Sequence, residues 1–168
     1  MTEENENKKI NEITITRVLN APRERVWKAW TDPEQFMRWW GPKGFTAPVS
    51  QIDLRVGGKY LYCMRSPEGK DFWGTGTFQE IVASEKLVMT DSFADEHGQV
   101  VPATYYGMSP DTPLEMLIAV TFEELDGGRT RLTLRHSGIR GISAADLEGM
   151  QQGWMESFDK LAEYLAKA

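Results

Sequence analysis

Few side chains in this sequence can carry chemistry by themselves. The chain has 2 histidines and 1 cysteine. His97 falls in the acidic stretch "FADEHGQ" and reads as solvated. His136 ends the run "RTRLTLRH", in register with Leu132 and Leu134 and beside Ser137. A histidine on the inward face of a strand reads as a buried, satisfied imidazole, with a general base as the alternative. Neither histidine sits in an HxxxH or HExxH pattern, and a single cysteine allows neither an internal disulfide nor a cysteine zinc site. No metal is therefore expected. Cys63, in "YLYCM", has no activating group beside it in sequence and reads as an inert thiol. Asp53, Glu80, Asp91 and Glu123 supply carboxylates, but no spacing pairs two of them for acid–base work. GxSxG, Walker and Rossmann patterns are absent, and "GTG" from Gly74 is too short for a phosphate loop. No catalytic residue and no cofactor is assigned.

Binding is the chemistry the residues offer instead. Four of the 6 tryptophans lie between Trp27 and Trp40. Trp27 and Trp30 read as core, packed from short helices onto a sheet. Trp39 and Trp40 are adjacent, and neighbours on a helix diverge by about 100°, so one can pack inward while the other borders a cavity. Trp73 sits beside Gly74 and Gly76, which mark either a sheet bend or the floor of a cavity. Met64, Met89, Met116 and Met150 could wall an adaptable apolar site together with Ile118 and Trp154. Tyr62, Tyr106 and His136 could orient a bound molecule. Gly149 and Gly153, four apart, leave either room for a ligand or a close helix contact. The stretch 93–113 is long for a loop and reads as a lid or as a plain connection.

These residues need elements to position them. "ITITRVL" reads as a strand. "NAPRERVWKAW" then adopts helical spacing, with Asn20 or Ala21 as cap and Pro22 in the first turn. Asp32 and Pro33 open a second short helix, stopped by Gly41 and Pro42. A run of alternating segments follows: "VSQIDL", "GGKYLYCMRS", "DFWGTGTFQEIV", "KLVMTDSF", "PLEMLIAVTFEEL" and "RTRLTLRH", the last two joined by "DGG". In the fifth, Leu114, Met116, Ile118, Val120 and Phe122 share one face. Ser143 and Asp146 begin a long helix whose stripe runs Leu147, Met150, Trp154, Phe158, Leu161, Leu165. The order predicts an α+β domain: a bent antiparallel sheet of about six or seven strands around a long C-terminal helix, with two short helices after the first strand.

Length and charge bound the rest. A chain of 168 residues favours one domain, here 12–168, behind a polar, disordered tail over 1–11. The net charge of −6 argues against nucleic acid as a partner. No segment is apolar enough for membrane insertion, and the polar N-terminus lacks a secretion h-region, so a cytoplasmic protein is expected.

"APRERVWKAWTDPEQFMRWWGP", "GGKY", "GTFQEIVASEKLVMT", "VTFEELDGGRTRLTL" and "GWMESFDKLAEYL", in this order and spacing, resemble the family of heat-shock-protein-90 ATPase activator homologues in the START-like (SRPBCC) superfamily. The likeness runs from Ile13 to Leu165. It implies the helix-grip fold, with a cavity between sheet and helix that takes a small hydrophobic ligand. It also implies two alternatives: a cyclase-like or hydrolytic enzyme using that cavity, or an interaction module whose partner is a chaperone or another protein.

Overall fold

The computed structural model describes residues 12–167, so the expected tail over 1–11 lies outside the described residues. Strand β1, Glu12–Leu19, buries Ile13, Ile15 and Leu19 and exposes Thr14, Thr16 and Val18. Helix α1, Arg23–Thr31, follows at once. Its cap corrects the expectation of Asn20 or Ala21. Pro22, with φ −66° and ψ 153°, is the N-cap, and its carbonyl accepts the N–H groups of Arg25 and Val26 without help from any side chain. The proline ring already holds the entry angle, so a polar cap two residues earlier has no amide to reach.

Helix α2 is one turn, Pro33–Phe36, capped by Asp32, which accepts the Glu34 N–H at 3.1 Å. Gln35 bonds the Asp32 carboxylate rather than its backbone, so the capping box is half made. Trp39 and Trp40 lie just past the helix, before Gly41 turns the chain at φ +102°.

Six further strands build the sheet: β2 Thr46–Ile52, β3 Lys59–Arg65, β4 Asp71–Val82, β5 Lys86–Ala94, β6 Met116–Leu125 and β7 Arg129–Ser137. The order β1-β7-β6-β5-β4-β3-β2 is antiparallel throughout. Leu114 does not join the β6 face: it precedes the strand and is 56% exposed.

Helix α3, Ala144–Lys167, lies across the inner face. Ser143 Oγ accepts the Asp146 N–H at 3.2 Å at its start. Trp154, Phe158, Leu161 and Leu165 are buried, whereas Leu147 and Met150, nearer its start, are half-buried. The stripe is therefore sealed only over its later turns.

Strand β4 carries a register shift against β5 between Phe78 and Glu80. Register places Tyr62 opposite Gly74 and Tyr60 opposite Gly76, with each ring lying over its glycine. A methyl group at Gly74 would meet the Tyr62 ring at 2.4 Å, and one at Gly76 would meet the Thr90 carbonyl oxygen at 1.9 Å. The space beside these glycines is thus taken by tyrosine rings, not left open as a cavity floor.

The helix glycines have no such constraint. A Cβ at Gly149 would meet nothing within 4 Å, and one at Gly153 would touch Pro42 at an ordinary 3.6 Å. Gly149→Ala is expected to raise stability by about 0.5–1 kcal/mol, because alanine is the better helix former. Gly76→Ala is expected to lower it by more than about 2 kcal/mol. Thermal unfolding followed by circular dichroism checks both; a Gly76→Ala protein as stable as the parent would contradict the close approach at β4.

Candidate functional site

Between the inner face of the sheet and the first half of α3 lies a hollow of about 570 Å³. Of the expected site residues, Trp40, Tyr62 and Met64 line one side, Met116 and His136 the sheet floor, and Met150 and Trp154 the helix side. Met89 and Ile118 border a second hollow of only about 20 Å³, beside Trp30 and Phe36. Both hollows share Trp40, Tyr62 and Asp91.

Three expected residues lie elsewhere. Trp39 is fully buried under α1: its Nε1–H donates to the Ala29 carbonyl at 2.9 Å and its ring meets Trp30 edge-on at 4.9 Å. Trp73 pairs with Cys63 and Ala94, on the opposite face of the strands from Tyr62 and Gly74. Tyr106 ends a single 3₁₀ turn, Ala103–Tyr106, within the long connection. Its hydroxyl donates to the Ala94 carbonyl and accepts the Trp73 N–H at 3.0 Å. It thus spans a cross-strand pair at the open end of β4 and β5 and is spent on the backbone. The residues just after it, Gly107 to Ser109 and Thr112, border the cavity.

Tryptophans build the wall behind the hollow. Trp30 meets Phe122 and Phe158 edge-on and stacks at 6.4 Å on Trp154. Trp40 stacks on Phe36 at 4.5 Å and meets Tyr62 and Trp154 edge-on at 5.1 Å. The rim beyond Trp40 is fastened to α3 by Lys160. Its Nζ donates to the carbonyls of Trp40, Gly41, Pro42 and Phe45 at 2.9–3.3 Å, and burial lowers its pKa. The left-handed turn at Gly41 helps aim these carbonyls at one point.

Asp91 is the residue whose place in the site sequence spacing missed. Along β5 it follows Leu87 and Met89 by twos, which puts it on the apolar inner face. It stands opposite Met116 on β6, with its side chain 14% exposed. Burial raises its pKa to about 7, while the nearby Tyr60 hydroxyl acts to lower it. His136, on β7, is 3% exposed, and burial lowers its pKa to about 4. Trp154 Nε1–H donates to His136 Nδ1 at 3.1 Å. That bond fixes the neutral tautomer with the proton on Nε2. Nε2 faces Asp91 Oδ2 at 3.5 Å and makes no hydrogen bond there.

Other reactive groups are quiet. Cys63 is buried, and desolvation with the nearby Asp71 charge pushes its thiol up to about 11. Among the described residues, no group of three His, Cys, Asp or Glu could hold a metal, and no helix is long and apolar enough to cross a membrane.

The sheet order, the two short helices and the long gripping helix define a START-like helix-grip domain. Residues 20–166 match the model of the family described as activator of Hsp90 ATPase homolog 1-like protein, and the chain belongs to that family. A crystal structure from Chromobacterium violaceum is similar at 30% identity and a TM-score of 0.73, covering 92% of this chain and 96% of that one. A solution structure from Arthrobacter aurescens is 30% identical with a TM-score of 0.76, covering 95% and 88%. A crystal structure from Nitrosomonas europaea is 26% identical with a TM-score of 0.76, covering 93% and 94%. No curated protein matches the chain.

The pair titrates with opposed signs. A carboxyl with a raised folded pKa contributes stability that is full below its unfolded value and lost as pH rises through the folded one. For Asp91 that window runs from 3.8 to about 7. His136, depressed from 6.5 to about 4, loses stability as pH falls through the same region. In Asp91→Asn the carboxyl limb disappears. Its stability relative to the parent is expected to grow from pH 4.5 to 7 and then level off, at a gain of about 1–3 kcal/mol. Urea unfolding across that range measures it; a difference independent of pH would show that Asp91 does not titrate there.

Proposed function

We propose that this domain binds a small apolar or aromatic molecule in the hollow between the sheet and α3. One observation carries the reading: about 570 Å³ remains between them, walled by Trp40, Tyr62, Met64, Met116 and Trp154. Ligand cavities have this size and this kind of lining, with a few convergent polar groups. Met64, Met116 and Met150 can adapt to a guest's outline, while the stacked tryptophans give a rigid wall. Affinity comes mainly from surface taken out of water, about 25 cal/mol per Å² before ordering costs. His136 and Asp91 supply the polar end. The segment 107–112 acts as a cover over the mouth.

Catalysis in the same cavity is a second reading, supported by the carboxyl that titrates near neutrality beside His136. It is weaker because His136 Nδ1 is already engaged by Trp154, which takes its lone pair away from base chemistry. A protein partner, such as the chaperone in the family description, would meet the exposed Val100, Tyr105, Met108 and Leu114. These lie on the connection that borders the mouth, so such a partner would cover the cavity as well.

A neutral dye, Nile red, tests the cavity. It is expected to bind at one saturable site and to quench tryptophan emission. Gly153→Phe, which puts a ring between α3 and the Pro42 rim, is expected to weaken that binding at least tenfold. Absence of saturation, or equal binding by the filled variant, would overturn the reading.

A further inference from the structure

We propose that the hollow selects an apolar molecule bearing one cationic nitrogen, an amine on an aromatic or alicyclic body, held with its charged end at Asp91. The proposal rests on the ligand-binding reading and specifies the class of guest.

Three observations converge on it. The first is the sign of the wall. Among the described residues, the two acids that line the hollow are Asp91, deep on the sheet, and Asp146, exposed at the rim, and no lysine or arginine lines it. Lys160, whose ammonium reaches the Trp40–Pro42 rim, does not line the hollow and is engaged there by backbone carbonyls. An acid or a phosphate would enter a site with only like charge to meet, whereas a cation would meet its counter-ion.

The second is the pairing left incomplete around Asp91. His136 Nε2 is buried, 3.5 Å from Oδ2, and without a hydrogen bond. Tyr60 spends its hydroxyl on the Thr90 carbonyl at 2.6 Å. The groups that face the carboxyl are thus a neutral imidazole from β7 and two tyrosines from β3 whose phenols burial holds protonated, with Asp146 of α3 farther out. A carboxylate in an apolar hollow without a positive partner is costly. A guest's ammonium removes that cost, and a hydroxyl does so only in part.

The third is the surface around it. Trp40, Tyr62, Phe93 and Trp154 present aromatic rings to the same hollow. Rings of this kind attract cations through their negative faces and shelter the hydrocarbon around the nitrogen. Burial also leaves Asp91 titrating near pH 7, so cation binding draws off its proton and must weaken in acid.

Isothermal titration of a matched trio reads the charge separately from the cavity. The probes are 1-naphthylmethylamine, 1-naphthalenemethanol and 1-naphthaleneacetate, at about 0.15 M salt to screen the acidic surface. At pH 8 the amine is expected to bind at least tenfold more tightly than the alcohol, and the acetate most weakly. The amine's advantage should shrink about tenfold between pH 8 and 5.5, where the alkylammonium itself stays protonated. It should vanish in Asp91→Asn while alcohol binding persists. Equal binding of amine and alcohol would overturn the charge selection and leave the cavity reading intact. Binding of none of the three would overturn both. An amine preference that survives in Asp91→Asn would place the cation elsewhere and sink the assignment. Should that variant fail to fold, the pH profile of the parent decides: a preference unchanged from pH 8 to 5.5 would overturn the proposal.

Discussion

The approach of Tyr60 and Tyr62 to two glycines on the neighbouring strand is the contact on which the architecture turns. With Gly76 and Gly74 opposite them, the two rings lie down on β4 instead of standing clear of it, stacked 6.1 Å apart. Tyr60 anchors that posture at both ends, its hydroxyl on the Thr90 carbonyl and its own carbonyl accepting the Thr75 hydroxyl at 2.6 Å. The sheet can then fold toward its inner face without colliding with its own side chains. The hollow lies between this layer and the first half of α3.

That volume is not uniformly oily. Asp91 and His136 bring two ionisable groups onto a floor rich in methionine and aromatic carbon, and the buried His136 Nε2 has no hydrogen-bond partner. Buried polar groups left in this state oppose folding. Conflicts of this kind cluster where a protein binds or reacts, because a better-satisfied floor would be a better core and a poorer site. The Trp154–His136 bond is the one satisfied link. It joins helix to sheet through the floor, so the orientation of the imidazole depends on how the helix is seated.

Much of this was legible in the residues. Strand alternation, the glycine–proline stops and the α3 stripe give the order of elements and the gripping helix. Local pattern failed where a tertiary contact decided the outcome. Trp39 and Trp40 are indistinguishable by type, and the Ala29 carbonyl draws one of them inward. The glycines of β4 announce unfilled space only until the partner strand is known to carry tyrosines opposite them. Tyr106 looks like a ligand hydroxyl until the ends of β4 and β5 are seen to need one. Asp91 could have been singled out from "KLVMTDSF" by asking which residue breaks an apolar period of two. Its partnership with His136 spans three strands, and no spacing along the chain encodes that.

The ammonium of Lys160 makes the stretch from Trp40 to Phe45 a rigid extension of the last helix, and the Lys43 amide adds a bond to Glu156. The opposite lip is tied to the sheet by the Tyr106 phenol, which bridges the Trp73 amide and the Ala94 carbonyl, and by the Val101 N–H on the Phe93 carbonyl. The mouth is therefore bounded on one side by a segment bonded to the last helix and on the other by a segment bonded to the sheet, so its width follows any shift of the one against the other.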